Sequence, residues 1–329
     1  MKSQARAGFI IAVTIYGLVG VATHFITFPS EIITVTRGSI GALFIALFML
    51  VRRHRPQWRT ICHNLGYLAL GGGALGFNWV LLLNAYHHTT QAIAVLCDYM
   101  SPVYLVFLSP WLFSEKLNTK KVVSILAAVV GITLVSGVAQ GGSTFNSESM
   151  LGVILALGSG VAATVLVIAS KMTSDVNCLD QVLVELTFSV LIVGPYALWN
   201  NWGKAISLDT RSVVLTLILA IVATGIAYIL YFDGISALPV QESSLLSYIQ
   251  PVVTVMASAL LLRETMTPSI AVGAVLVLGA AAFSELNTAR VKEGLYWNRY
   301  SRPVIALSRH YQAKHGHRHA HLHKLSFAH

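Results

Sequence analysis

Apolar residues run through this chain in stretches of about twenty, the length that carries a helix across the hydrocarbon core of a bilayer. Short polar breaks separate them. The pattern predicts ten spans, near 7–28, 32–51, 65–86, 91–112, 119–138, 150–170, 181–199, 212–233, 240–262 and 268–285. The break at Phe28-Pro29-Ser30 is so short that the first two helices are expected to form a tight hairpin. The stretch from Gln140 to Ser149, rich in Gly, Ser and Asn, divides the chain in half.

Composition agrees with a lipid solvent: 55% of the 329 residues are hydrophobic and 11% are charged, too few to solvate a water-facing surface. The net charge of +9 does not point to nucleic acid, because the basic residues sit in short segments between apolar runs and in the tail. Their distribution sets an expected orientation. With the N-terminus in the cytoplasm, Lys2, Arg6, Arg52, Arg53, Arg55, Arg59, Lys116, Lys120, Lys121, Lys171 and the eight of the tail from Arg290 onward fall inside. Only Lys204, Arg211 and Arg263 fall outside, so the positive-inside bias places both termini in the cytoplasm. Lys2 and Arg6 precede an apolar run with no convincing cleavage site, so the first segment is expected to remain as a helix. Cys62, Cys97 and Cys178 have no metal-ligand spacing and read as packing or loop residues.

The chain repeats itself. A shift of 149 residues places Gly76 on Gly225, Trp79 on Tyr228, Tyr99 on Tyr248, Pro102 on Pro251 and Glu115 on Glu264 without a gap. At the start of each half a shift of 144 pairs Gly8 with Gly152 and Ala12 with Ala156. Five helices per repeat is odd, so the second copy must enter the membrane from the opposite side. The expected fold is therefore an all-α membrane protein of ten transmembrane helices in two inverted five-helix repeats, residues 1–139 and 150–286, followed by a basic, His-rich cytoplasmic tail, 287–329. Inverted repeats underlie alternating access around a midplane site.

The segments Leu96 to Glu115, with Tyr99, Pro102 and Glu115, and Leu245 to Glu264, with Tyr248, Pro251 and Glu264, resemble paired EamA-type domains of the drug/metabolite transporter superfamily. The resemblance covers roughly residues 7–285 and takes in Arg37 in the second helix and Ala169-Ser170-Lys171 at the close of the sixth. It implies a ten-helix carrier with a central cavity, often an exporter of amino acids, amines or other metabolites.

Within the expected spans, Pro102 and Pro251 lie about eleven residues into their helices and deprive the carbonyls of Asp98 and Ser247 of their partners. Bare backbone at that depth is tolerated against protein or a water-filled cavity, so these turns are either pathway-lining or plain packing kinks. Asp98 is the sharpest single candidate. A carboxylate near the midplane costs about 2.5–3.5 kcal/mol unless paired, protonated or hydrated. It reads as a proton- or ammonium-binding group, or else as a neutral acid hydrogen-bonded to another helix. Arg37 and Glu185, 148 residues apart, occupy nearly equivalent repeat positions with opposite charge. They form a charge pair or gate, or Arg37 snorkels to the interface as an anchor. Asn78, Trp79, Tyr99, Tyr228 and Tyr248 either contact a solute or pack. Glu115 and Glu264, each beside a basic residue, are expected to cap a following helix or to fix a loop. The GxxxG spacing of Gly72 and Gly76 predicts close approach of helix three to a neighbour.

In the tail, His315, His317, His319, His321 and His323 alternate with other residues, either as a weak metal site or as a disordered cationic segment. No nucleophile elbow, P-loop, HExxH or GxGxxG is present, so the chain is not expected to be an enzyme or to hold a cofactor. The expected function is a secondary transporter, an exporter of a small solute such as an amino acid or amine, with protons and the lipid bilayer as further partners. The alternative is a membrane scaffold or a metal or pH sensor that uses the histidine tail. The two differ in whether solute moves.

Overall fold

The computed structural model describes residues 2–113, 119–135, 147–173, 176–204, 208–238 and 240–283. They form α1 (Lys2–His24), α2 (Ser30–Val51), α3 (Trp58–His63), α4 (Leu65–His88), α5 (Gln91–Asp98), α6 (Ser101–Phe113), α7 (Thr119–Val135), α8 (Ser147–Met172) and α9 (Cys178–Asn200). Then follow α10 (Thr210–Ile218), a π-helical stretch Leu219–Ile226, α11 (Ala227–Ala237), α12 (Val240–Ser247), α13 (Ile249–Leu261) and α14 (Pro268–Phe283). There is no strand among the described residues. Seven segments are long and apolar enough to cross a membrane: Ser3–His24, Ser30–Val51, Leu65–His88, Gln91–Leu108, Ser147–Met172, Cys178–Asn200 and Thr210–Tyr231. Val122–Val135, Ile249–Leu261 and Pro268–Phe283 are shorter apolar helices. Glu115, the loop from Gln140 to Asn146 and the histidine tail lie outside the described residues.

Helix starts follow local chemistry. Thr90, Asn177 and Asp209 each offer a side-chain oxygen to an amide of the first turn they precede, at 3.3 Å to Ile93, 3.0 Å to Leu179 and 3.0 Å to Ser212. The first expected span needs correcting: α1 stops at His24 and a five-residue loop, not a three-residue one, leads to α2. Hydropathy could not place that end, because Ile26 and Phe28 of the loop are buried in an apolar cluster with Ile33, Leu83 and Leu219. The short α3 was not anticipated; it is too brief to register as a hydropathy run.

The fourth and ninth expected spans are discontinuous. A turn at Tyr99-Met100 separates α5 from α6, and Tyr248 separates α12 from α13. Pro102 and Pro251 are therefore the second and third residues of new helices, not mid-helix kinks. A proline near a helix start loses no intrahelical bond, whereas in the interior its ring would clash with the carbonyl four residues back. The amide of Met100 turns to the carbonyl of Cys97 at 3.1 Å, and the helix restarts.

Large apolar side chains point outward, as Leu43, Leu47 and Leu50 do along one face of α2. That surface suits lipid and would aggregate in water. Inside, α8 packs against α4 and the α5–α6 pair, and α1 packs against α11 and the α12–α13 pair. Likewise α4 lies on α9, the π stretch lies on α2, and α2 lies on α9. These pairings exchange with one another under the repeat correspondence. Small residues permit the closest approaches: a Cβ on Gly72 would fall 2.4 Å from the Glu185 carbonyl, and one on Gly76 2.6 Å from a Val193 methyl. The GxxxG face of α4, the third expected span, thus packs on α9.

Candidate functional site

The end of α5 brings Asp98 against α4 and α8. Asn78 of α4 donates through Nδ2 to Asp98 Oδ1 at 2.9 Å and reaches the Ser159 carbonyl at 2.9 Å. Ser159 of α8, fully buried, lies with Oγ 2.6 Å from the same Oδ1; its single proton has a second acceptor in the Ala156 carbonyl at 2.7 Å. Both donors converge on one carboxylate oxygen. Oδ2 accepts no hydrogen bond among the described residues. Asp98 thus accepts hydrogen bonds from two other helices, and one of its oxygens is left in hand. Ser159 escaped sequence reading because a serine in an apolar helix usually bonds its own backbone.

The same region has no equivalent in the second half. The 149-residue shift places Asn78 on Ala227 and Asp98 on Ser247, and the 144-residue shift places Ser159 on Ile15. What the second half does supply is a tie across the two broken helices. The Tyr99 hydroxyl donates to the Ser247 carbonyl at 3.4 Å, and the Tyr99 and Tyr248 rings face each other at 6.3 Å. The Ser247 carbonyl, at the end of α12, is thus met by a side chain of the other repeat.

Arg37, 6% exposed, sits in α2 with its guanidinium carbon 4.2 Å from the centroid of the Trp79 ring and Nε 2.6 Å from Thr224 Oγ1. Thr224 belongs to the π-helical stretch, where the widened turn also brings its hydroxyl 3.4 Å from the Leu219 carbonyl. Tyr16, Tyr86 and Tyr228 lie within electrostatic range of Arg37, and Tyr86 is also within range of Asp98. Tyr16 meets Tyr228 at 5.8 Å and Tyr231 at 5.7 Å, and Tyr231 stacks on Phe9 at 4.9 Å. Trp79 and Tyr228, matched across the repeats, meet in one cluster with Ile45, Leu75 and Leu186. Tyr16, Tyr86, Tyr231 and Thr224 were not singled out in the sequence; only their common direction in three dimensions marks them.

Arg37 and Glu185 do not pair in this structure. Glu185 accepts from Gln181 Nε2 at 2.8 Å and Ser170 Oγ at 3.5 Å, and Arg37 forms no ion pair with any described residue. Tyr228 stands within electrostatic range of both. The Arg37 side chain lies inside the helix bundle, against Trp79 of α4 and Thr224 of the π stretch. A charged side chain at that depth costs about 2.5–3.5 kcal/mol on insertion scales, which the indole face and one hydroxyl offset in part.

The two ends of the α2–α9 pair are each fastened by a buried carboxylate. Glu31, at the start of α2, accepts from the side-chain amides of Asn200 and Asn201 at the end of α9, the latter at 3.2 Å. Asp180, at the start of α9, receives His54 Nε2 at 2.8 Å and the Gln57 amide at 3.0 Å from beyond the end of α2. Glu31 and Asp180 are 149 residues apart, so they are equivalent in the two repeats. Arg6 also pairs with Glu242. Glu264 caps a helix as expected of its position, but a different one: it accepts from the Gln91 and Ala92 amides, at 2.9 and 3.4 Å, at the start of α5 in the other half. The described residues contain no cluster of three metal-ligating side chains.

Helices that turn apolar side chains outward and gather hydrogen-bonded charges and phenols inward define a multi-pass protein of the cell membrane with a polar interior. The chain belongs to the EamA-like transporter family, whose pattern matches residues 6–137 and again 150–285. It is 24% identical over 255 residues to YxxF of Bacillus subtilis, an uncharacterized transporter, covering 77% of this chain and 80% of that one. An uncharacterized transporter of Archaeoglobus fulgidus is 24% identical over 285 residues, covering 83% of this chain and 93% of that one. A solved crystal structure aligns over 88% of this chain and 99% of its own with a TM-score of 0.59 and 21% identity, a likeness of fold. The two relatives are named transporters, not enzymes, and their names specify no substrate.

Proposed function

We propose that the chain is a secondary carrier that exports a small metabolite, an amino acid, amine or related compound, by alternating access, with Asp98 as its proton-coupling group. In this reading the seven long spans and three shorter apolar helices are ten transmembrane helices in two inverted repeats, with both termini in the cytoplasm. The first repeat is residues 1–139, the second 150–286, and 287–329 is the cytoplasmic tail. The observation that carries it is the exchange of helix contacts under the repeat: α1 meets α11 and α12–α13 as α8 meets α4 and α5–α6. Such a bundle has two related arrangements of one set of contacts, which is what a carrier that faces alternately inward and outward needs.

The paired carboxylates fit that cycle. Glu31 closes one end of the α2–α9 seam and Asp180 the other. A rocking carrier opens them in turn. Asp98 suits coupling because Oδ1 is held by Asn78 and Ser159 while Oδ2 is left to take a proton. No observation among the described residues favours the scaffold or sensor reading, whose histidines lie beyond them.

The test is flux. Metabolite profiles of medium from overexpressing and deletion strains identify a candidate solute, and proteoliposomes containing the full chain should show saturable counterflow of it. The Asp98→Asn variant should keep counterflow and lose roughly 100-fold or more of proton-driven flux, the scale of a lost proton-transfer group. Undiminished proton-driven flux removes Asp98 from the mechanism, and absence of counterflow for every solute tested removes the carrier reading.

A further inference from the structure

We infer that the transported solute carries a carboxylate and that Arg37 is its ligand. This rests on the carrier reading above and adds the class of substrate to it. Arg37 is enclosed by neutral groups. Its Nε is engaged by Thr224 at 2.6 Å, and one face of its plane lies 4.2 Å over the Trp79 ring. The two terminal nitrogens, Nη1 and Nη2, have no acceptor among the described residues, and no carboxylate comes within ion-pairing distance. Glu185, its near-equivalent in the other repeat, is held by Gln181 and Ser170.

A guanidinium is permanently charged and its paired terminal nitrogens match the two oxygens of a carboxylate. A buried one left without an anion is therefore an incomplete pair, which an anion from outside the chain would complete. The surroundings favour a carboxylate over a bulkier, doubly charged phosphate: among the described residues Arg37 is the single cation in contact with Trp79 and Thr224. Tyr86 lies within electrostatic range of both Arg37 and Asp98, so the two charges share that neighbour. An ammonium at Asp98 Oδ2 makes it an amino acid; none makes it a simple carboxylate.

The experiment uses the full chain in detergent or nanodiscs and reads ligand-induced shifts in thermal unfolding. The probes are the proteinogenic amino acids and unbranched carboxylates of two to six carbons, each beside its amide and the corresponding decarboxylated amine or alkane alcohol. Acids should stabilise at least tenfold more potently than their amides. Arg37→Gln should abolish that difference and Arg37→Lys should weaken it, since an ammonium keeps the charge but not the paired geometry. Thr224→Val, which leaves the guanidinium in place, should weaken acid binding less than Arg37→Gln and shows that the fold tolerates change there. Amino acids binding more tightly than the matching simple acids assigns the zwitterion, and equal binding assigns the carboxylate alone. Amides or amines binding as well as acids, an acid preference that survives Arg37→Gln, or no stabilisation by any probe overturns the proposal. Counterflow without carboxylate preference leaves the carrier reading standing and removes this one; acid binding without flux does the reverse.

Discussion

Replacing Asp180 by asparagine should unfasten one end of the α2–α9 seam and leave the other closed. Asp180 is fully buried and accepts two donors, His54 Nε2 at 2.8 Å and the Gln57 amide at 3.0 Å. An asparagine offers one acceptor oxygen where the carboxylate offers two, so one donor meets an NH2 group and the other keeps only a neutral bond. Losing one charge-assisted bond and weakening another costs about 2–3 kcal/mol. If that bond set exists only when this end is closed, the equilibrium moves toward the open arrangement by roughly 30- to 150-fold.

The readout is a single cysteine, Ser101→Cys, in a background from which Cys62, Cys97 and Cys178 have been removed. Its labelling by a membrane-impermeant maleimide is followed in vesicles of each orientation. Asp180→Asn should raise labelling from the side that carries the α9 N-terminus. Glu31→Gln, which weakens the amide bonds from Asn200 and Asn201, should raise it from the opposite side. If both variants open the same face, or neither alters labelling while the purified proteins unfold at unchanged temperature, the two carboxylates are not alternating fastenings.

Packing at the α4–α9 crossing makes a sharper stability forecast: Gly72→Ala places a Cβ 2.4 Å from the Glu185 carbonyl and should cost about 1–3 kcal/mol, whereas Gly66→Ala, with nothing within 4 Å, should leave the unfolding temperature unchanged. Equal effects on the unfolding temperature contradict the crossing. At the start of α10, hydrogen bonds from Ser212 and then Thr27 hold the exposed Asp209 carboxyl below the usual range. Its folded value being the lower one, the cap stabilises the first turn at neutral pH and is lost as acid takes the pH through that depressed value. Hydrogen exchange at the Ser212 amide should accelerate there, relative to neighbouring turns, and Asp209→Asn should abolish the pH dependence. Exchanging the charges with Arg37→Glu and Glu185→Arg together should not restore the transport lost in either single variant, because the two side chains hold different partners; restored flux would show that they pair in another state.

How much of this was visible in the chain depends on the length scale of each signal. Spans and repeat were legible because lipid demands about twenty apolar residues and because Tyr99, Pro102 and Glu115 recur as Tyr248, Pro251 and Glu264. Helix ends were less so. Ile26 and Phe28 are as apolar as any helix residue yet belong to a loop, and the prolines that looked like mid-helix kinks turn out to begin new helices. Partners were least legible of all. Asp98 and Arg37 stood out as charges, but Ser159 and Thr224, which receive them, are ordinary residues in apolar helices until folding sets them at 2.6 Å.

That division also separates frame from chemistry. Where the halves agree, they repeat the frame: the broken helices, the paired tyrosines, and the carboxylates Glu31 and Asp180 at opposite ends of one seam. Where they disagree, polar groups occur that the pseudo-twofold does not repeat. Asp98, Asn78 and Ser159 correspond to Ser247, Ala227 and Ile15, and Thr224 corresponds to Leu75, so the polar contacts of each charge exist once. A site duplicated by the pseudo-twofold would present the same groups to both ends of a bound molecule. On the carrier reading proposed above, a carboxylate and a hydrogen-bonded guanidinium present different groups, and so would orient a polar solute while the surrounding helices exchange places.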